Sequence, residues 1–300
     1  MKKIWITLLI LTLATACSPR PTPAPGPAST ESPPTSSVPP LTAEAVKNAQ
    51  VSLTTLSGDV ALTYQLTDGI YNAGTDTAST DYAQINLLEP MAFGDMNGDG
   101  AVDAAALVAE NYGGSGTFVS LVVFLNENGK PSQAAITPVD DRPMIKSVSI
   151  EAGMLALEAI IHGIDDPMCC PALQTSRHYQ LDGSELVLRD FSTQTPAGTW
   201  RTIEIASQNE SGSSVELIGT ITISPFENTL IYRIYDQTGA QLTAGPMMVT
   251  AAEMGGPGTF AETINLSQVP SGAKIRIEIS DLNAADSSLL AMDSVLVTVK

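Results

Sequence analysis

From residue 51 onward the chain is a series of short apolar or alternating runs, each cut off by Gly, Asn, Asp or Pro. Alternation with a period of two marks strands, because successive side chains of a strand point to opposite faces, and the polar breaks mark turns. Extended segments are expected at 61–66, 85–88, 102–109, 117–125, 147–157, 159–162, 178–181 and 186–188. The run 117–125 is almost wholly apolar, which predicts a central strand buried on both faces. Ala104, Ala105 and Ala106 tolerate helix by propensity. Their place between an oxygen-rich loop and the glycine-rich hairpin turn at 113–116 favours strand. Turns are expected at Asp68-Gly69, at 72–74 and at 126–129. One short helix is predicted across 41–50, where Thr42 can cap Ala43, Glu44, Ala45 and Lys47.

The pattern changes at 192–199, where Thr195-Pro196-Ala197-Gly198 reads as a linker. Beyond it, β-branched runs recur at 202–205, 215–223, 230–235, 247–250, 260–266, 274–279 and 294–299. Such short strands, regularly spaced over one stretch of about 100 residues, predict an immunoglobulin-like sandwich. The expected class is mainly β: a β-rich domain over 41–191, then a sandwich over 200–300. No Cys falls in the second half, so its core must hold without an inter-sheet disulfide.

Several motifs in that half carry a resemblance. They are Gly219-Thr220-Ile221-Thr222-Ile223, the run from Phe226 to Asp236, Gly239, the run from Gly258 to Ile264, and the closing strand from Asp293 to Val299. Together they resemble the Gmad2 family, the immunoglobulin-like domain of bacterial spore-germination proteins. The resemblance implies a non-catalytic surface or scaffolding domain. It does not by itself imply a part in germination. Residues 41–190 resemble an uncharacterised extracytoplasmic module of bacterial lipoproteins. The marks are the loop from Phe93 to Gly100, the Gly113-Gly114-Ser115-Gly116-Thr117 turn and Pro167-Met168-Cys169-Cys170-Pro171. That likeness brings no known activity.

The N-terminus adds a compartment. Met1-Lys2-Lys3 followed by an apolar stretch over 4–13 has the form of a secretory signal peptide, shorter than the about 20 residues of a permanent span. Leu13-Ala14-Thr15-Ala16-Cys17 resembles a bacterial lipobox, with Ala14 where that motif usually carries Leu. The resemblance implies removal of 1–16 and lipidation of Cys17, giving an extracytoplasmic protein anchored to the bacterial membrane. A secreted protein with a stray Cys is the alternative. Residues 18–40 hold nine prolines among Ser, Thr and Ala and have almost no large apolar side chain. Such a segment cannot bury a core, so 17–40 is expected to be a tether, reaching up to ~70 Å at about 3.1 Å per residue. No later run is long and apolar enough for a transmembrane helix.

The formal net charge is −18, and loss of Lys2 and Lys3 with the leader takes it to −20. So acidic a surface disfavours nucleic acid and anionic lipid patches, both of which select Lys and Arg. It suits an ectodomain that meets divalent cations, although acidity also serves solubility.

Candidate chemistry is concentrated at 95–103. Asp95, Asn97 and Asp99 place side-chain oxygens at alternate positions, Gly100 permits a sharp turn, Ala101 can offer its carbonyl, and Asp103 follows. Ca²⁺ takes six to eight oxygens at about 2.3–2.6 Å from a loop that curls around it. The segment resembles the calcium loops of dockerins, EF-hands and FG-GAP repeats over their first nine positions. It departs from the EF-hand at the twelfth, where Ala106 replaces the bidentate Glu. A structural Ca²⁺ of extracellular affinity, with Kd about 10⁻⁴–10⁻³ M, is therefore expected rather than a sensor site. An acidic turn that binds nothing is the alternative.

Cys169-Cys170 is the only thiol pair left once Cys17 is lipidated, and outside the cytosol a vicinal disulfide is expected. Free thiols, or a soft-metal or redox sensor with Met168 and His162 or His178, are the alternatives. Those two histidines are the only ones, and each reads as a structural residue before a general base. No Gly-x-Ser-x-Gly elbow, His-Glu-x-x-His pair or P-loop is present. The chain is thus expected to be a non-catalytic envelope binding or scaffolding protein. Its partner would be an envelope protein or a wall polysaccharide. The rival is an envelope enzyme acting on carbohydrate or peptide, with 41–191 catalytic.

Overall fold

A computed structural model of the chain describes residues 38–54 and 61–300. The expected leader, Cys17 and all but the last three residues of the expected tether lie outside the described residues. The chain enters through α1 (Ala43–Lys47), where the Thr42 hydroxyl accepts the Ala45 N–H at 3.1 Å, with Glu44 in the first turn and Lys47 in the last. Charges so placed complement the helix dipole. Then come β1 (Gln50–Leu53) and β2 (Leu62–Gln65), which pair antiparallel.

A five-stranded antiparallel sheet follows in chain order: β3 (Ile70–Ala73), β4 (Ala83–Gly94), β5 (Asp103–Asn111), β6 (Phe118–Glu127) and β7 (Lys130–Asp141). Both of its faces are covered. Ala104, Ala106, Val108, Val122 and Phe124 pack toward Val46, Val51 and Leu53. Ala105, Leu107, Leu121 and Val123 pack the other way, toward Leu155, Leu157 and Tyr179. The alanines of β5 therefore belong to a middle layer, where small side chains let the flanking layers approach. The glycine-rich stretch 113–116 forms the β5–β6 connection, as its pattern predicts.

The covering layer is a meander of β8 (Met144–Glu151), β9 (Met154–Ile161), β10 (Leu173–Asp182) and β11 (Glu185–Gln194). The stretch 147–157, expected as one strand, is a hairpin. Ala152 and Gly153 both take positive φ, 49° and 77°, the geometry a two-residue hairpin turn demands. Strands β3 and β7 are additions to the expected pattern. β7 carries Pro131 and Pro138 and pairs only with β6, so it is an edge strand, where a missing N–H is tolerated.

After the short β12 (Trp200–Arg201), which pairs with β11, come β13 (Ile203–Ser211), β14 (Ser214–Ile221), β15 (Thr229–Tyr235), β16 (Gln241–Ala251), β17 (Gly258–Asn265), β18 (Lys274–Leu282) and β19 (Leu289–Thr298). One sheet runs β13-β14-β17 and ends on the last residues of β16; the other runs from the first part of β16 through β15, β18 and β19. This is the strand order of an immunoglobulin-like sandwich. Leu217, Leu230, Ile234, Met247, Phe260 and Ile277 fill its core without a cysteine. The chain is mainly β throughout.

β19 also reaches back. Ala291, Met292 and Asp293 pair with β18 on one side and with Ser192, Phe191 and Asp190 of β11 on the other. The β8–β11 meander thus continues directly into a sheet of the sandwich. Of the expected linker 192–199, the first three residues are the end of β11, and the Thr195–Thr199 turn leads to β12.

Candidate functional site

The oxygen-rich loop joins β4 to β5. Gly98 and Gly100 both adopt φ 81°, which lets the chain curl tightly. Side chains then close on main-chain donors inside the loop. Asp95 accepts the N–H of Gly98 at 2.7 Å and that of Gly100 at 2.9 Å. The Asn97 side-chain oxygen accepts the Asp99 N–H at 3.0 Å, and Asp99 accepts the Ala101 N–H at 2.7 Å. Asn97 also donates its amide to the second Asp99 oxygen at 3.0 Å. These are the local side-chain-to-backbone bonds that Asp and Asn favour in turns.

Asp103 behaves differently. It is fully buried, and its two oxygens accept the main-chain N–H of Met96 at 2.9 Å and of Asn126 at 2.8 Å. Burial pushes its carboxyl above the usual carboxylate range; the two amide bonds oppose that, and the nearby charges of Asp99 and Asp95 add to it. Asn126, which the pattern marks only as a turn residue, is the hub opposite. Its amide donates to the Pro39 carbonyl at 2.8 Å and the Val102 carbonyl at 3.0 Å, and its side-chain oxygen accepts the Gly129 N–H at 2.7 Å. The loop, the entering chain and the β6–β7 turn are held together at this point.

The loop meets a hard cation's needs in part. Asp95, Asn97, Asp99 and the Ala101 carbonyl remain as oxygen donors, and each carboxylate oxygen keeps a lone pair beyond its single N–H bond. Asp103, expected as a further ligand, differs from these in being fully buried, with one core amide on each oxygen. Among the described residues no three His, Cys, Asp or Glu side chains gather around one point as a metal site. None of Asp95, Asp99 and Asp103 forms an ion pair with a described basic residue. A cation here would bind through the three loop side chains, the carbonyl and water, and its chemistry would be shape-holding.

Cys169 and Cys170 are disulfide-bonded in the exposed connection between β9 and β10. His162 grips that connection. Its main-chain N–H and Nδ1 both meet Asp140 Oδ2, at 2.6 and 2.8 Å, while Nε2 meets the Met168 carbonyl at 3.2 Å. Acceptors at both ring nitrogens favour the imidazolium, and the hydrogen bond to Asp140 raises its pKa above the ordinary value. His178 pairs separately, with Asp190 across the β10–β11 ladder at 3.1 Å.

Among the described residues there are also two shallow clefts, each of about 320 Å³. Tyr64, Tyr71, Tyr82 and Tyr112 line the first. There the Tyr112 hydroxyl donates to Glu110 at 2.7 Å and accepts from Tyr64 at 3.2 Å. The tyrosines lie far apart in sequence, and no local spacing marks them as neighbours. The second cleft sits at one end of the sandwich, bounded by Phe226, Met254 and Leu290. No family model matches the chain, and no curated protein or solved structure matches it significantly.

Proposed function

We propose that this is a non-catalytic binding or scaffolding protein of the bacterial cell envelope, held to the membrane through a lipid on Cys17. Its Gmad2-like sandwich and its β-rich N-terminal half present surfaces to an envelope protein or a wall polysaccharide. The calcium loop serves as a structural staple. One observation carries the reading: the acidic loop is tied by Asp103 into a core whose middle strand is buried on both faces, instead of lining a cavity. Carboxylates spent on main-chain amides hold shape; they are not poised to exchange protons with a substrate. An exterior of open sheet faces and loops is what such a frame offers to a partner.

The test uses the full-length chain as bait in envelope extracts, with calcium and with chelator. Specific retention of an envelope protein or glycan is expected. Failure to retain any component in either condition overturns the binding reading. Radiolabelled palmitate should enter the full-length chain and be lost in Cys17→Ala; incorporation that survives the substitution overturns the anchor.

A further inference from the structure

The three connections at the cleft end of the sandwich, 222–228, 252–257 and 283–288, share one surface around the cleft. We propose that it docks a segment of a partner protein presenting one bulky apolar side chain flanked by Lys or Arg. This deepens the binding reading above and rests on it.

The geometry is built in advance. The Ser224 N–H donates to the Gly256 carbonyl at 2.8 Å, and the Ser224 hydroxyl accepts the Gly255 N–H at 2.8 Å, locking the first connection to the second. The third closes on itself, with Asn283 N–H on the Ser288 carbonyl and Ser287 N–H on the Asn283 carbonyl, both at 2.8 Å. Beneath them Arg201 and the almost wholly buried Asp281 pair at 2.7 Å and cancel each other's charge as the floor of the cleft. A preformed site binds without losing loop entropy.

Its walls are apolar and open. Ile223, Pro225, Phe226, Met254 and Leu290 line about 320 Å³, and Phe226 and Met254 remain 66% and 75% exposed. One exposed apolar side chain is ordinary, but two flanking a single cleft form an anchor pocket of the kind that dominates protein interfaces. Phe226 is held there at a cost, because the next two residues, Glu227 and Asn228, take left-handed backbone with φ 58° and 53°. A Glu in that region is uncommon and stores strain. The Asn228 side-chain oxygen and one Asp286 oxygen are also left without a hydrogen-bond donor.

Charge selects the occupant. The three connections carry Glu227, Glu253 and Asp286 and contain no Lys or Arg. With a chain charge of −18, a second copy and an anionic bilayer are both repelled. A cationic segment is drawn in, and an apolar side chain at its centre fits the cleft.

The probe is a fluorescent peptide with a central Phe between pairs of lysines, titrated by anisotropy against the full-length chain. Binding that weakens at least about tenfold in Phe226→Ser/Met254→Ser, and that weakens with salt, is expected. Both side chains are exposed, so the melting temperature should stay at the parent value and separate lost docking from lost fold. The proposal is overturned if the lysine peptide does not bind, if it binds no better than its glutamate counterpart, or if the double variant binds it equally well. It is also overturned if a purified wall polysaccharide, and not the peptide, is what the double variant loses. An envelope component retained equally by parent and double variant sinks this site while leaving the broader binding reading intact.

Discussion

The Asp103 carboxylate takes the Asn126 main-chain N–H at 2.8 Å through one oxygen and the Met96 N–H at 2.9 Å through the other, so one buried side chain ties the acidic loop to the β6–β7 turn. Removing it in Asp103→Ala leaves two buried donors unpaired, each worth about 1–3 kcal/mol. Urea unfolding should show a loss of that order. Asp103→Asn, which keeps one acceptor, should lose less. A loss under about 0.5 kcal/mol for the alanine variant, the level of an ordinary surface change, would show that the tie is not structural.

How much of this was legible beforehand depends on range. Strand existence was readable where side chains alternate or run apolar, and all seven runs of the sandwich are strands. Local chemistry was readable too: Thr42 caps α1, and Gly100 turns the acidic loop. What could not be read was whatever depends on partners distant in sequence. Asp103 is spaced like a cation ligand, yet Asn126 sits 23 residues away with a buried N–H to satisfy, and that competes for the carboxylate. The tyrosine cleft gathers residues from β2, β3 and the ends of β4 and β5, which no single window contains. The β11–β19 pairing was hidden because a change in composition at 192–199 says nothing about which strand edges meet.

Asp95, Asn97 and Asp99 lead to a second prediction. If calcium binds with a Kd near 10⁻³ M, then 10 mM calcium should add about 1.4 kcal/mol to stability by mass action. Asp99→Ala should abolish most of that gain while costing little in chelator, because Asp99 is exposed and makes only bonds within the loop. A melting temperature that ignores calcium in the parent, with Asp99→Ala behaving alike, would exclude the staple.

The middle layer predicts its own intolerance. Ala106 is wholly buried in β5 and belongs to the cluster with Val46, Val51 and Leu53. Ala106→Leu must push those layers apart, a cost of about 1–3 kcal/mol for an overpacked core. The same change at the exposed Ala284 should be close to neutral. Equal stabilities for the two would contradict the three-layer packing.

His162 gives the pH dependence. Its pKa in the folded chain lies above the ordinary 6.5, chiefly through the hydrogen bond to Asp140. A raised value means the folded state holds the proton more tightly than the unfolded state. The stability this contributes is fully present below 6.5 and is lost as pH rises through the folded value. His178, raised by Asp190, acts in the same sense. The melting temperature should therefore decline across that window on the alkaline side of 6.5, with a shallower decline in His162→Ala and the shallowest in the double variant with His178→Ala. An unchanged slope in the double variant would remove the histidines as the cause.

The disulfide between Cys169 and Cys170 makes the last case, and here a small effect is the informative one. A crosslink stabilises largely by shortening the loops open to the unfolded chain, so its worth grows with the number of residues enclosed. Adjacent cysteines enclose none. The connection they occupy is already secured by His162 on the Met168 carbonyl, and by Asp166, which accepts the N–H groups of Gly163 and Ala172 at 2.8 Å each. Reduction should therefore cost far less stability than the about 2–4 kcal/mol of an ordinary disulfide. Alkylation without reductant should leave both cysteines unlabelled in mass spectra, and reductant should expose both, since the segment is open to solvent. Labelling of both thiols without reductant would show that the bond is absent. A large stability loss on reduction would instead make the sulfur pair, and not the His162 clasp, the element that orders the connection.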